Sequence, residues 1–241
     1  MSFLPLQPFP AGASPEGRLG LTGLALLPVP LWTALALAPS GMIPALAVYL
    51  AGLALAMVGM AAAYPHARMG ACNLVTTIRL ALVAAILALG MEVAIAGPVP
   101  GWAIFGMAVT ALLLDGVDGY LARRARLTSD FGARYDMEVD AALAATLALV
   151  LLALGRGGSE LLVLGFSRYV FVLASRWAPW LSAPLPERWT RKAICVVQIA
   201  TLAVLTAPLL PEALARPLAL SAAGLLIWSF ARDIRWLAAR R

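Results

Sequence analysis

Long apolar runs leave this chain little choice of fold. Eight of them, at about 19–38, 42–63, 74–96, 101–122, 137–155, 160–180, 193–210 and 214–234, are separated by short polar links. Each has roughly the 17 to 25 residues that an α-helix needs to cross a bilayer's hydrocarbon core. In lipid every backbone N–H and C=O must be bonded internally, so runs of this length span as helices. Of the 241 residues, 62% are hydrophobic and 12% charged, and the mean hydropathy is +0.89. A soluble domain averages about 45 to 50% apolar and 25% charged. The expectation is an all-α, polytopic integral membrane bundle with no room for a separate soluble domain. Pro28 and Pro30 interrupt the first run, which is expected to be kinked or re-entrant. Residues 1–18, rich in Pro, Gly and Ser, read as a flexible N-terminal segment, and no cleavable signal peptide is evident.

The net charge of +6 is carried by the links and not by a basic helix interleaved with aromatics, which argues against a nucleic-acid partner. With the link at 123–135 on the cytoplasmic side, fifteen of the eighteen Lys and Arg residues fall on that side. Only Arg156 and Arg216 fall opposite, a strong positive-inside bias. The expected location is a bacterial-type inner membrane with the 123–135 face in the cytoplasm. Two cysteines, Cys72 and Cys195, build neither a disulfide framework nor a zinc site. The lone His66 reads as a solvated link residue.

Half of the twelve acidic residues fall between Asp115 and Asp140, and four of them form the pattern Asp115-x-x-Asp118-Gly119-x-x-Ala122-Arg123, eight residues, Gly132-x-x-x-Asp136-x-x-x-Asp140. Residues three or four apart share a helix face, so an antiparallel hairpin can bring two carboxylates from each helix together. Such a cluster would repel itself unless a hard divalent cation relieved it. Mg²⁺ (or Mn²⁺) takes oxygen ligands and keeps positions open for substrate phosphates, and a pair of ions about 3.5 to 4 Å apart can clamp a phosphoryl group.

This stretch resembles the signature of the CDP-alcohol phosphotransferase family, D-x-x-D-G-x-x-A-R-x8-G-x3-D-x3-D, at every defined position. The resemblance implies a six-helix core in residues 73–241, with residues 19–72 an additional N-terminal hairpin. It implies transfer of a substituted phosphate from a CDP-linked donor, commonly CDP-diacylglycerol, to an alcohol acceptor in phospholipid biosynthesis, with release of CMP, by a homodimer embedded among membrane lipids. Asp115, Asp118, Asp136 and Asp140 then correspond to the metal-binding aspartates, and Asp140 also to the general base. Gly119, Ala122 and Gly132 would let the nucleotide approach two helices closely, and Arg123 would pair with donor phosphate. Asn73-x-x-Thr76-x-x-Arg79 resembles the start of the family's first core helix, so Thr76 and Arg79 are expected donor contacts; simple N-capping by Asn73 is the plainer reading.

Arg168 lies near the middle of its run, and an ionisable group at membrane depth is a functional candidate. It is expected to face a polar cavity and hold a phosphate. Arg191 and Lys192 suit an anionic acceptor such as glycerol 3-phosphate, or serve only as topology charges. Asp130 and Glu138 read as solvated. Two other classes remain to be weighed. An intramembrane prenyltransferase would place its acidic motifs in separate halves of the chain, and a cation pathway would need polar groups at several depths.

Overall fold

In a computed structural model describing residues 14–186 and 188–240, the chain is a bundle of helices with no strand among the described residues. In order they are α1 (Pro15–Leu26), α2 (Pro28–Leu37), α3 (Met42–Ala63), α4 (Ala71–Ile95), α5 (Gly101–Ala125), α6 (Asp130–Ala153), α7 (Ser159–Trp177), α8 (Trp189–Leu205) and α9 (Glu212–Ala238). Short 3₁₀ turns occupy Pro39–Gly41 and Pro179–Ser182. Five stretches are long and apolar enough to cross a membrane: α1 with α2, the turn at 39–41 with α3, α4, α5 and α9. The others are more polar or shorter: α6 holds Asp136, Glu138 and Asp140, α7 holds Glu160, Arg168 and Arg176, and α8 is only 17 residues long. This is a multi-pass helical membrane protein.

The first apolar run is indeed broken, into α1 and α2, where Pro28 and Pro30 supply no N–H. Ser14 caps α1 by accepting from Gly17 N. The last residues of the expected flexible segment, 15–18, are therefore helical; its residues 1–13 lie outside the described residues. A second revision concerns α4, which starts at Ala71 after Gly70. Asn73 is thus inside the first turn and not its cap, and its side-chain Nδ2 is buried without a partner.

Burial singles out α4 as the central helix. Ala81, Val83, Ala84, Ala85, Ile86, Ala88 and Leu89 are all fully buried, and α1, α2, α3, α5 and α6 pack around it. Small residues set the spacing, as expected where association rests on close packing and not on expulsion of water. At Gly165 of α7, an added Cβ would lie 2.6 Å from the Ala148 Cβ of α6. Large apolar side chains such as Trp32, Ile43, Leu55 and Val58 face outward, the polarity a lipid surround requires.

Links gather at two ends. At one, His66 Nε2 donates to the Thr128 carbonyl (3.1 Å) and Arg232 donates to Thr190 Oγ1 (3.1 Å); His66, expected to be a solvated link residue, lies in a link, half-exposed, and ties it to the next. At the other, Ser40 N donates to Glu92 Oε2 (2.9 Å) and Arg156 donates to the carbonyls of Leu205 (3.0 Å) and Ala207 (2.6 Å).

Candidate active site

Three helices converge on the aspartates. α5 offers Asp115 and Asp118 from one face, and α6 offers Asp136 and Asp140. The turn between them is tight: Leu127 N returns to the Ala122 carbonyl (3.0 Å) and Arg126 N to the Arg123 carbonyl (3.2 Å). Ser129 then caps α6 by accepting from Gly132 N (3.0 Å). The structure therefore brings all four aspartates together from a single hairpin. Oxygens of Asp115, Asp118 and Asp136 lie within 4.8 Å of one another. Asp118 is deepest, its side chain 5% exposed, whereas those of Asp115, Asp136 and Asp140 are 25%, 34% and 27% exposed.

Arg79 of α4 stands among these carboxylates, fully buried. Its Nη1 donates to Asp118 Oδ2 (2.9 Å) and to Asp136 Oδ1, and its Nη2 pairs with Asp115 Oδ1 (3.0 Å) and donates to Asp140 Oδ1. One turn earlier on the same helix, Thr76 Oγ1 donates to Asp118 Oδ2 (3.1 Å) and to the Cys72 carbonyl (3.1 Å). Behind them Tyr135 Oη donates to Thr77 Oγ1 (3.2 Å), which in turn donates to the Asn73 carbonyl (2.7 Å). Thr76 and Arg79 thus hold the aspartates from the rear and are not among the residues lining the adjoining cavity. The donor set of Asp115, Asp118 and Asp136, three carboxylates converging with oxygen alone, fits a hard divalent cation.

In front of the aspartates lies a cavity of about 690 Å³. Asp115, Asp118, Asp136 and Asp140 line one part with Gly119 and Arg123, and Arg168, Arg191, Lys192 and Gln198 line another. Leu112, Phe171, Ile194, Ile199, Leu226 and Phe230 supply an apolar wall. Ala122 and Gly132 are not among the lining residues; one carries the carbonyl that closes α5 and the other the N–H that starts α6. The cations are anchored. Glu138, expected to be solvated, pairs with Arg168 while more than half exposed, and Asp233 of α9, buried, lies 3.6 Å from Arg191. Asp233 and Ser229 also line the cavity and were not anticipated. The available signal was an acidic residue within the last apolar run.

A family model for CDP-alcohol phosphatidyltransferases matches residues 69–231, more than half of the chain. Comparison with curated proteins and with solved structures gave no match. The matched stretch contains the aspartate hairpin, the α4 segment that braces it and the cavity-lining residues except Asp233. A single hairpin carrying both acidic pairs is also unlike the divided motifs of a prenyltransferase. The chain belongs to the CDP-alcohol phosphatidyltransferase family, and is by that membership a transferase of substituted phosphate groups.

Proposed function

We propose that the protein transfers a phosphatidyl group from CDP-diacylglycerol to a small alcohol and releases CMP, at the cytoplasmic face of the cell membrane, with Mg²⁺ or Mn²⁺ as its cofactor, two ions per site. The observation that carries this reading is the mixed lining of the cavity, which joins the four carboxylates and a set of cations with large apolar side chains. An amphipathic donor with a charged diphosphate and acyl chains matches both kinds of lining.

Asp115, Asp118 and Asp136 would hold the metal, whose chemistry when bound is to neutralise charge on the phosphate oxygens. Arg123, exposed at the cavity, is placed to pair with donor phosphate. Asp140 lies outside the 4.8 Å trio and keeps a partly exposed carboxylate toward the cavity. It would accept the proton of the acceptor hydroxyl as that oxygen bonds to phosphorus and the bond to CMP breaks. Arg168 and Arg191, each steadied by a carboxylate, with Lys192 beside them, suit a phosphorylated acceptor such as glycerol 3-phosphate. The Lys and Arg bias toward this end supports its cytoplasmic orientation.

The test is CMP release by purified protein in lipid micelles with CDP-diacylglycerol and Mg²⁺, offering glycerol 3-phosphate, inositol phosphate, serine, inositol and choline one at a time. Release that requires a phosphorylated acceptor and stops on chelation is expected. Release with choline alone would overturn the acceptor assignment, and none with any acceptor would overturn the donor.

A further inference from the structure

We infer that Arg79 is the built-in counter-ion of the aspartate hairpin, holding the four carboxylates assembled before any divalent ion arrives and moderating how tightly the cluster takes one. This rests on the metal-site reading given above. Arg79 differs from an ordinary buried ion pair in its connectivity. Nη1 bridges Asp118 of α5 to Asp136 of α6, and Nη2 bridges Asp115 of α5 to Asp140 of α6. Each terminal nitrogen therefore ties one helix of the hairpin to the other. α5 and α6 touch little along their lengths, and α4 is the element that each packs against most, so the guanidinium bridges two acidic faces with few direct contacts of their own.

Four like charges on facing helices repel, and at the edge of a protein interior that repulsion is screened less than in bulk water. A single guanidinium reaches all four because it is a planar fork with donors on two sides; an ammonium is a compact point charge. Arg79 Nε is buried without a partner, so the polar partners of the guanidinium are the four carboxylates. The consequence for metal binding follows from charge. A cation entering beside Asp115, Asp118 and Asp136 meets a cluster already partly neutralised, and it is repelled by the guanidinium. Arg79 thus exchanges metal affinity for a preassembled site.

The measurement is Mn²⁺ binding to purified protein in micelles, followed by the loss of the free-ion EPR signal, together with the thermal unfolding midpoint with and without EDTA. Wild type should bind Mn²⁺ and keep most of its midpoint in EDTA. Arg79→Met should bind Mn²⁺ at least about tenfold more tightly and depend strongly on the metal for its midpoint. Arg79→Lys, which restores the charge, should return Mn²⁺ affinity to within about threefold of wild type. If Arg79→Met is recovered only when purified with Mn²⁺, the inference stands. If it is recovered in neither buffer, or binds Mn²⁺ no tighter than wild type, the inference is wrong. Absence of Mn²⁺ binding by wild type would instead remove the metal site itself.

Discussion

The turns that flank α6, one closing α5 before it and one closing α6 itself, share a backbone device and differ in chemistry. At its far end Gly155 takes a left-handed conformation (φ 68°), with its N–H on the Leu152 carbonyl (3.0 Å) and that of Arg156 on the Leu151 carbonyl (2.9 Å), the double bond of a Schellman motif. The turn leading into its near end ends α5 by the same pattern, but the left-handed position is Arg126 (φ 55°). Charges differ in parallel. At the far end charge is turned mainly to helix ends: the half-buried Arg156 donates to the carbonyls of Leu205, the last residue of α8, and of Ala207 just beyond it, and the buried Glu160 accepts from Gly158 N (2.9 Å) at the start of α7 and lies 4.0 Å from the exposed Arg216. At the near end four carboxylates share one guanidinium and still face a cavity. Charge directed mainly to backbone groups holds a fold together. Buried charge left in excess beside a cavity is available for chemistry.

The sharpest way to break this contrast is to neutralise one near-end carboxylate. Asp140→Asn keeps the shape and an acceptor oxygen for Arg79 while removing the proposed base. CMP release should fall by about 10²- to 10⁴-fold, the range for loss of a positioned general base. The unfolding midpoint should hold or rise, because one source of repulsion is gone. A midpoint loss matching the activity loss would mean that Asp140 is structural, as at the far end.

The far end should give the reverse pattern. Arg156→Met leaves two carbonyls at the end of α8 without their donor, at a cost of about 1 to 3 kcal/mol. An SDS titration of the purified protein should show that loss while the rate of CMP release at a permissive temperature stays as in wild type. Slowed release with an unchanged midpoint would tie the far end to the reaction and dissolve the distinction.

Of the eight runs that hydropathy picked out, all are helical but only five are long and apolar enough to cross a membrane, and hydropathy also misplaced helix ends. α8 begins at Trp189, not near 193, since Trp189, Thr190, Arg191 and Lys192 continue the helix into polar surroundings. The run expected to 180 stops at Trp177 and continues as a 3₁₀ turn at Pro179. The aspartate face was legible because helical spacing of three and four is a local property. Arg79 was harder to place. It falls among the apolar residues of α4, and read alone it could be a topology charge or a substrate contact. Only packing α4 behind the hairpin shows that its partners are 36 to 61 residues away in sequence, from Asp115 to Asp140. Glu138 and Asp233 were missed for the same reason, since each gains meaning from an arginine on another helix.

The smallest effect concerns the turn itself. A non-glycine residue in the left-handed region costs roughly 1 to 2 kcal/mol from the clash of its Cβ with the backbone, and Arg126 pays no part of that back through any side-chain hydrogen bond among those described. Glycine removes the clash but gives the unfolded chain more freedom to lose, worth about 0.5 to 1 kcal/mol. Arg126→Gly should therefore stabilise the protein by about 0.5 to 1 kcal/mol. Gly155→Ala, the mirror change at the far end, should destabilise it by a similar amount, since alanine inherits the clash that glycine avoids. Paired SDS titrations would read both. If both variants lose stability, Arg126 is held by contacts that outweigh its backbone strain, and the ends of α6 differ in charge alone. If the signs oppose as expected, the turn beside the aspartates carries a strain that the turn at the far end has shed. The Arg126→Gly protein would then show, in its rate of CMP release, whether the reaction uses that strain.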